Sequence, residues 1–97
     1  MKTRFHEEAL EEFADAVAFY RSVDRGLAKR FRTSVGIMVS SIGIQPLLGP
    51  IHWNDVRKSV MLDFPYSIFY MQVDAHILIV AVMHTSREPD YWLDRID

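Results

Sequence analysis

The chain predicts an α+β fold in which a helical hairpin lies on one face of a mainly antiparallel sheet. Up to about residue 43, apolar residues recur at helical spacing in two blocks. From about residue 55 the pattern changes to alternation and to runs of β-branched and aromatic residues. Between these halves stand Pro46, Gly49 and Pro50, the punctuation of a loop. Helices first and hairpin-linked strands afterwards is the order that segregates helices to one side of a sheet. At 97 residues, 49% of them apolar and 12% aromatic, the chain has material for one core and one domain spanning 1–97.

Lys2 to Phe5 reads as a short edge strand. From Glu7, the residues Leu10, Phe13, Ala14, Val17 and Ala18 follow the apolar template of an amphipathic helix, with Glu7, Glu8, Glu11, Glu12 and Asp15 on the opposite side. The acidic first turns complement the positive end of the helix dipole, and His6 sits at the cap. Ser22 to Gly26 interrupts the pattern as a tight connection. A second helix then carries Leu27, Phe31, Val35, Met38 and Ile42 on one stripe, and Gly43 stands where a left-handed helix end is expected. Gly36, inside that helix, costs about 1 kcal/mol relative to Ala, which implies either close packing against the first helix or mere tolerance, with tolerance favoured. Ile44 to Asn54 reads as a loop. Three strands follow as a meander: Asp55 to Asp63, with Val56, Lys58, Val60 and Leu62 on one side and Arg57, Ser59 and Met61 on the other; Tyr66 to Val73 after the break at Pro65; and Ile77 to Met83. That last run is continuously apolar, as a central strand buried on both faces should be. Asp74-Ala75 links the last two strands, and Pro89 to Arg95 closes the chain as a turn or short helix.

Composition excludes several classes. The chain has no cysteine, so disulfide frameworks and thiolate zinc sites are out, and a reducing cytoplasm is expected. No apolar run approaches the roughly 20 residues needed to span a bilayer, and Met1-Lys2-Thr3-Arg4 leads into no signal-type stretch. A net charge of −2 and a pI near 6.0 argue against a general nucleic-acid binder. The charge is uneven: residues 1–50 hold seven Lys/Arg and six Asp/Glu, a balance of +1, whereas residues 51–97 hold four and seven, a balance of −3. Arg25, Lys29, Arg30 and Arg32 form the basic cluster, either solvated surface or a contact for an acidic partner segment.

No phosphate loop, nucleotide fingerprint, HExxH pair or GxSxG elbow occurs, and no cofactor or metal site is expected. The chemically interesting residues gather at strand ends: His52, Trp53 and Arg57 in one group, and His84, Ser86, Arg87, Asp90, Tyr91 and Trp92 in the other. His84 is placed to act as a proton acceptor or donor, or simply to bond a backbone carbonyl at the core's rim. Arg87 can grip a phosphate with its planar fork or pair with Glu88, Asp90 or Asp94. Tyr91 and Trp92 can stack on a base or dock the terminal segment onto the sheet, and docking fits Trp92 better. Arg57 lies opposite Val56 and Val60 and is expected to point away from the helices, toward an open sheet surface or a partner. Glu8, Glu11, Glu12 and Asp15 read as a solvated helix face rather than a metal site.

With the elements placed, the sequence resembles the RelE/ParE superfamily of bacterial toxins, and its ParE-like plasmid-stabilisation branch in particular. The likeness rests on Phe5-His6-Glu7-Glu8-Ala9, on Arg25-Gly26-Leu27-Ala28-Lys29-Arg30-Phe31, on Val56-Arg57, on Asp63-Phe64-Pro65-Tyr66-Ser67-Ile68-Phe69-Tyr70, and on the close His84-Thr85-Ser86-Arg87-Glu88-Pro89-Asp90-Tyr91-Trp92 followed by Arg95. The resemblance implies a cytoplasmic toxin held as a hetero-oligomer by a cognate antitoxin whose flexible segment wraps it. ParE-type members poison DNA gyrase, and RelE-type members cut mRNA on the ribosome. The nuclease pattern fits poorly, since its expected Arg falls on Ser67 and one expected Lys on Val60, leaving Lys58, Arg87 and Tyr91 as counterparts of catalytic groups. The expectation is therefore a non-catalytic, gyrase-binding toxin, with Arg57, His84, Arg87, Tyr91, Trp92 and Arg95 as partner-contacting or target-contacting residues. The alternatives are a RelE-like mRNA endonuclease and a decayed, non-toxic member that only binds antitoxin.

Overall fold

The computed structural model describes residues 1–96. Strand β1 (Lys2–Phe5) gives way at His6, whose Nδ1 accepts the Glu8 amide at 3.1 Å and so starts helix α1 (Glu7–Val23). One residue separates α1 from helix α2 (Arg25–Ile44). Asp24 is extended, its amide donates back to the Tyr20 carbonyl, and its carboxylate accepts the Leu27 amide at 2.9 Å. The expected Ser22–Gly26 connection thus shrinks to a single capping aspartate, because that one side chain satisfies an orphan amide of the new helix.

The stripe on α2 is as expected: Phe31, Val35 and Ile42 are buried, with Leu27 and Met38 partly so. On α1 the expected face holds at Phe13 and Val17 and fails at Leu10, Ala14 and Ala18. Ala9, Ala16, Val17 and Tyr20 are buried and Phe13 packs beside them, while Leu10 is 53% exposed and Ala14 and Ala18 face solvent. The helix is rotated about its axis, and this rotation carries Glu12 inward. Gly43 is also corrected. It lies inside α2, no glycine has positive φ, and α2 is capped by Gln45. Gly43 is needed for a close approach instead, since a Cβ there would stand 2.9 Å from the Met1 carbonyl oxygen of the neighbouring β1 segment. Gly36 faces open space, in keeping with tolerance.

The segment expected to be a loop contains an additional strand, β2 (Ile51–Trp53), which pairs antiparallel with β3 (Val56–Val60) across an irregular turn at Asn54, φ 49°. Strands β4 (Tyr66–Val73) and β5 (His76–His84) follow, and Asp74 at φ 55° supplies the left-handed turn that a glycine would otherwise provide. The sheet order is β1-β5-β4-β3-β2, with β1 parallel to β5 and the other pairs antiparallel. The meander β3-β4-β5 is thus extended at both sides. β5 is interior and buried from Ile77 to Met83, although the middle position belongs to β4.

Each face of the sheet has its own core. On the helix side, Tyr20, Phe31, Phe64 and Tyr66 pack with ring centroids 5.0 to 6.3 Å apart, among Ile68, Tyr70, Ile77 and Ile79. On the other, Val56, Phe69, Leu78, Val80, Ala81 and Met83 are closed over by Trp92 from the C-terminal segment, which turns back under the sheet and ends in a 3-10 turn at Leu93–Arg95.

Candidate functional site

β1 covers only part of the β5 edge. The last rung is the His6 amide on the Ile79 carbonyl at 2.8 Å. Beyond it, two backbone groups of β5 are met by side chains instead of by a strand: the Val82 amide donates to Glu12 Oε1 at 3.0 Å, and the Val80 carbonyl accepts from Arg95 Nη1 at 3.0 Å. Unpaired edge groups are costly when buried, which explains why two charged side chains are drawn in. Glu12 and Arg95 also bind each other through two contacts, at 2.9 and 3.0 Å, with side-chain exposures of only 12% and 7%.

Two further donors converge on the same carboxylate. The Tyr91 hydroxyl donates to Glu12 Oε2, and Arg87 Nη1 approaches it at 3.3 Å. The Arg87 guanidinium lies over the Tyr91 ring, 3.7 Å from its centroid, and Arg95 is 5.1 Å from the same centroid. Glu8 adds a contact to Arg95 Nε at 3.3 Å. Burial by itself would raise the Glu12 carboxyl, but the bonds from Arg95, Tyr91 and Val82 outweigh it and hold the group below its ordinary range. Burial and the adjacent Glu12 carboxylate push the Tyr91 phenol upward, so it stays a donor.

A second tie holds the other side of this segment. His52 Nε2 meets Asp90 Oδ1 at 2.9 Å, Asp90 takes φ 61°, and the His52 ring lies 5.8 Å from Trp92. Trp92 is fully buried, 4.8 Å from Phe69, within the core on that face of the sheet. The Arg95 side chain is only 7% exposed, and its donors are spent on Glu12, Glu8 and Val80. Arg57 does not point to an open sheet surface. It lies on the helix side opposite Tyr70, where Nη1 donates to the carbonyls of Leu47 at 3.1 Å and Gly49 at 2.7 Å. Lys58 lies on the reverse face, 5.8 Å from the Phe69 centroid. His84 uses Nδ1 to accept from the Ser86 amide at 3.0 Å, with its ring edge-on to Tyr66.

Of the expected contact residues, Arg87, Tyr91 and Arg95 are brought together around one group, and that group is Glu12, which the sequence places on a solvated helix face. The signal for it was present: Ala9, Phe13, Ala16, Val17 and Tyr20 form an alternative helical stripe that has Glu12 on its border. Among the described residues no three His, Asp or Glu side chains converge to hold a metal ion, and no helix is long and apolar enough to cross a membrane.

A separate feature is an open apolar groove of about 800 Å³ between α2, the loop after it and β3. Ile37, Leu48, Val60 and Leu62 line it and are 66%, 74%, 56% and 100% exposed, a concentration of apolar surface on one side of the molecule.

The family model of the ParE toxin of type II toxin-antitoxin system, parDE, matches residues 3–89. Among solved structures, a chain of the chromosomal ParDE TA system from P. aeruginosa is similar at a TM-score of 0.64 and 13% identity, covering 87% of this chain and 95% of that one. No curated protein matches in sequence.

Proposed function

Because the chain belongs to the ParE toxin family of type II toxin–antitoxin systems, we propose that it is a cytoplasmic toxin that binds DNA gyrase and is neutralised by a cognate antitoxin. The observation that carries the non-catalytic reading is the scatter of the residues a nuclease would use. Arg57 is tied to loop carbonyls on the helix side, Lys58 lies on the opposite face, and Arg87 and Tyr91 are gathered on the Glu12 carboxylate. Phosphodiester cleavage asks for cations preorganised around one phosphate. A carboxylate at the centre of the group opposes that charge. The balance of −3 over residues 51–97 also disfavours an approach to ribosomal RNA.

The antitoxin is assigned to the groove along α2 and β3. Its exposed Ile37, Leu48 and Leu62 suit the apolar side of an amphipathic segment, and the outer strand β2 leaves an edge free for an added strand. The C-terminal segment, on the far side of the sheet, is assigned to the target.

Supercoiling by purified gyrase, with and without this chain, tests the reading beside a ribosome-dependent mRNA cleavage assay on the same preparation. Gyrase inhibition with intact mRNA is expected. Cleavage with unaffected supercoiling would transfer the function to the nuclease class, and expression without growth arrest would mark a non-toxic antitoxin binder.

A further inference from the structure

Among the cations around Glu12, Arg95 and Arg87 differ in one respect. The Arg95 side chain is 7% exposed and saturated with acceptors, whereas Arg87 is 51% exposed and gives Glu12 only one long contact at 3.3 Å. Arg87 is nonetheless not free to wander. Its guanidinium carbon stands over the Tyr91 ring, 3.7 Å from the centroid, and Tyr91 is fixed by its hydroxyl on Glu12. Glu12 is itself fixed to the sheet through the Val82 amide. The chain of contacts therefore runs from β5 through α1 to an oriented, half-exposed guanidinium. A planar fork held in advance loses less rotamer freedom on binding than a free side chain does.

We infer that Glu12 is the positioning residue of the target-binding segment, and that it presents Arg87 to grip a single carboxylate on the partner protein. This rests on the proposed toxin function and names the chemistry of its contact. Glu8, Glu88, Asp90 and Asp94 stand near in sequence or in space, so a dense phosphate backbone is repelled from this surface. One carboxylate, matched bidentately by the fork, is the anion such a site accepts. The family match ends at residue 89, so Tyr91 and Arg95, half of the clasp, lie outside it.

The test uses Arg87→Lys, which keeps the charge and discards the planar fork, and Glu12→Gln, which keeps the shape and discards the charge. Each is scored for growth arrest on induction, for capture by the antitoxin, and for amide hydrogen exchange over residues 87–96. Both variants are expected to need about tenfold more toxin for arrest while still binding antitoxin. Glu12→Gln should also speed exchange in the segment by about tenfold or more. Tyr91→Phe, which deletes only the hydroxyl on Glu12, gives the same exchange readout if Glu12→Gln fails to fold. Arg87→Lys as toxic as the unchanged chain overturns the carboxylate fork, because a point charge then serves as well as the planar guanidinium. Unaltered exchange in Glu12→Gln or in Tyr91→Phe overturns the positioning role. An unchanged chain that arrests no growth refutes the toxin reading itself, while the exchange result still decides whether Glu12 orders the segment.

Discussion

Replacing Trp92 by alanine is expected to strip the cover from the sheet face opposite the helices. The ring is fully buried, 4.8 Å from Phe69 and 5.8 Å from His52. Truncating a buried Trp costs about 3 to 5 kcal/mol through lost burial and the cavity left behind. Part of that is recovered here, because the indole Nε1 is buried with no acceptor among the described residues, and a single neutral donor left unsatisfied carries a penalty of about 1 kcal/mol, the low end for such groups. The net loss should be about 2 to 4 kcal/mol, out of the roughly 5 to 15 kcal/mol that holds a domain of this size together. In thermal terms the midpoint falls by about 8 to 30 °C. Urea unfolding followed by far-ultraviolet circular dichroism reads the change, and Trp53 remains as a fluorophore. Trp92→Phe keeps an aromatic ring and removes the orphaned donor, so it should stay within about 1 kcal/mol of the unchanged chain. A loss under about 1 kcal/mol for Trp92→Ala refutes the idea that this ring closes the second core. Equal losses for Phe and Ala would mean that the indole N–H has a partner and contributes through it.

Acid should act through Glu12. Its carboxyl is held below the ordinary value of 4.5 in the folded chain, so its contribution is present above that pH and is lost as pH falls through the depressed folded value. The stability gap between the unchanged chain and Glu12→Gln should therefore be widest near neutrality and close progressively below pH 4.5, as read from urea midpoints measured across that range. Two of the glycines in α2, Gly36 and Gly43, should respond in opposite directions. Gly36→Ala meets nothing within 4 Å and should stabilise by about 0.4 to 1 kcal/mol. Gly43→Ala brings a Cβ to 2.9 Å from the Met1 carbonyl, and an overpacking cost of about 1 to 3 kcal/mol should exceed the gain in helix propensity of about 1 kcal/mol. Thermal melts of the two variants beside the unchanged chain decide both signs.

The sequence by itself determined the elements whose signal is local. The α2 stripe from Leu27 to Ile42 was legible because one row of large apolar residues at helical spacing admits a single buried face. The strands β3 to β5 were legible from alternation and from the apolar run at Ile77 to Met83, and the docking of Trp92 followed from its bulk. The tertiary structure decided what depended on distant partners. On α1, apolar residues cover so much of the circumference that periodicity allows more than one rotation, and packing against β5 chose the one that turns Leu10 outward and Glu12 inward. Alternation in β3 separated Arg57 from Val56 and Lys58 correctly, but it cannot say which set the helices cover, and they cover the side of Arg57. β2 was hidden in a Pro- and Gly-rich stretch because a strand of three residues has little pattern of its own and exists through pairing with β3. The Glu12 clasp was the least legible, for a reason of sheet topology. Its carboxylate is drawn in by a β5 edge that β1 leaves bare, and that edge exists only because residues 2–5 pair with residues 76–79.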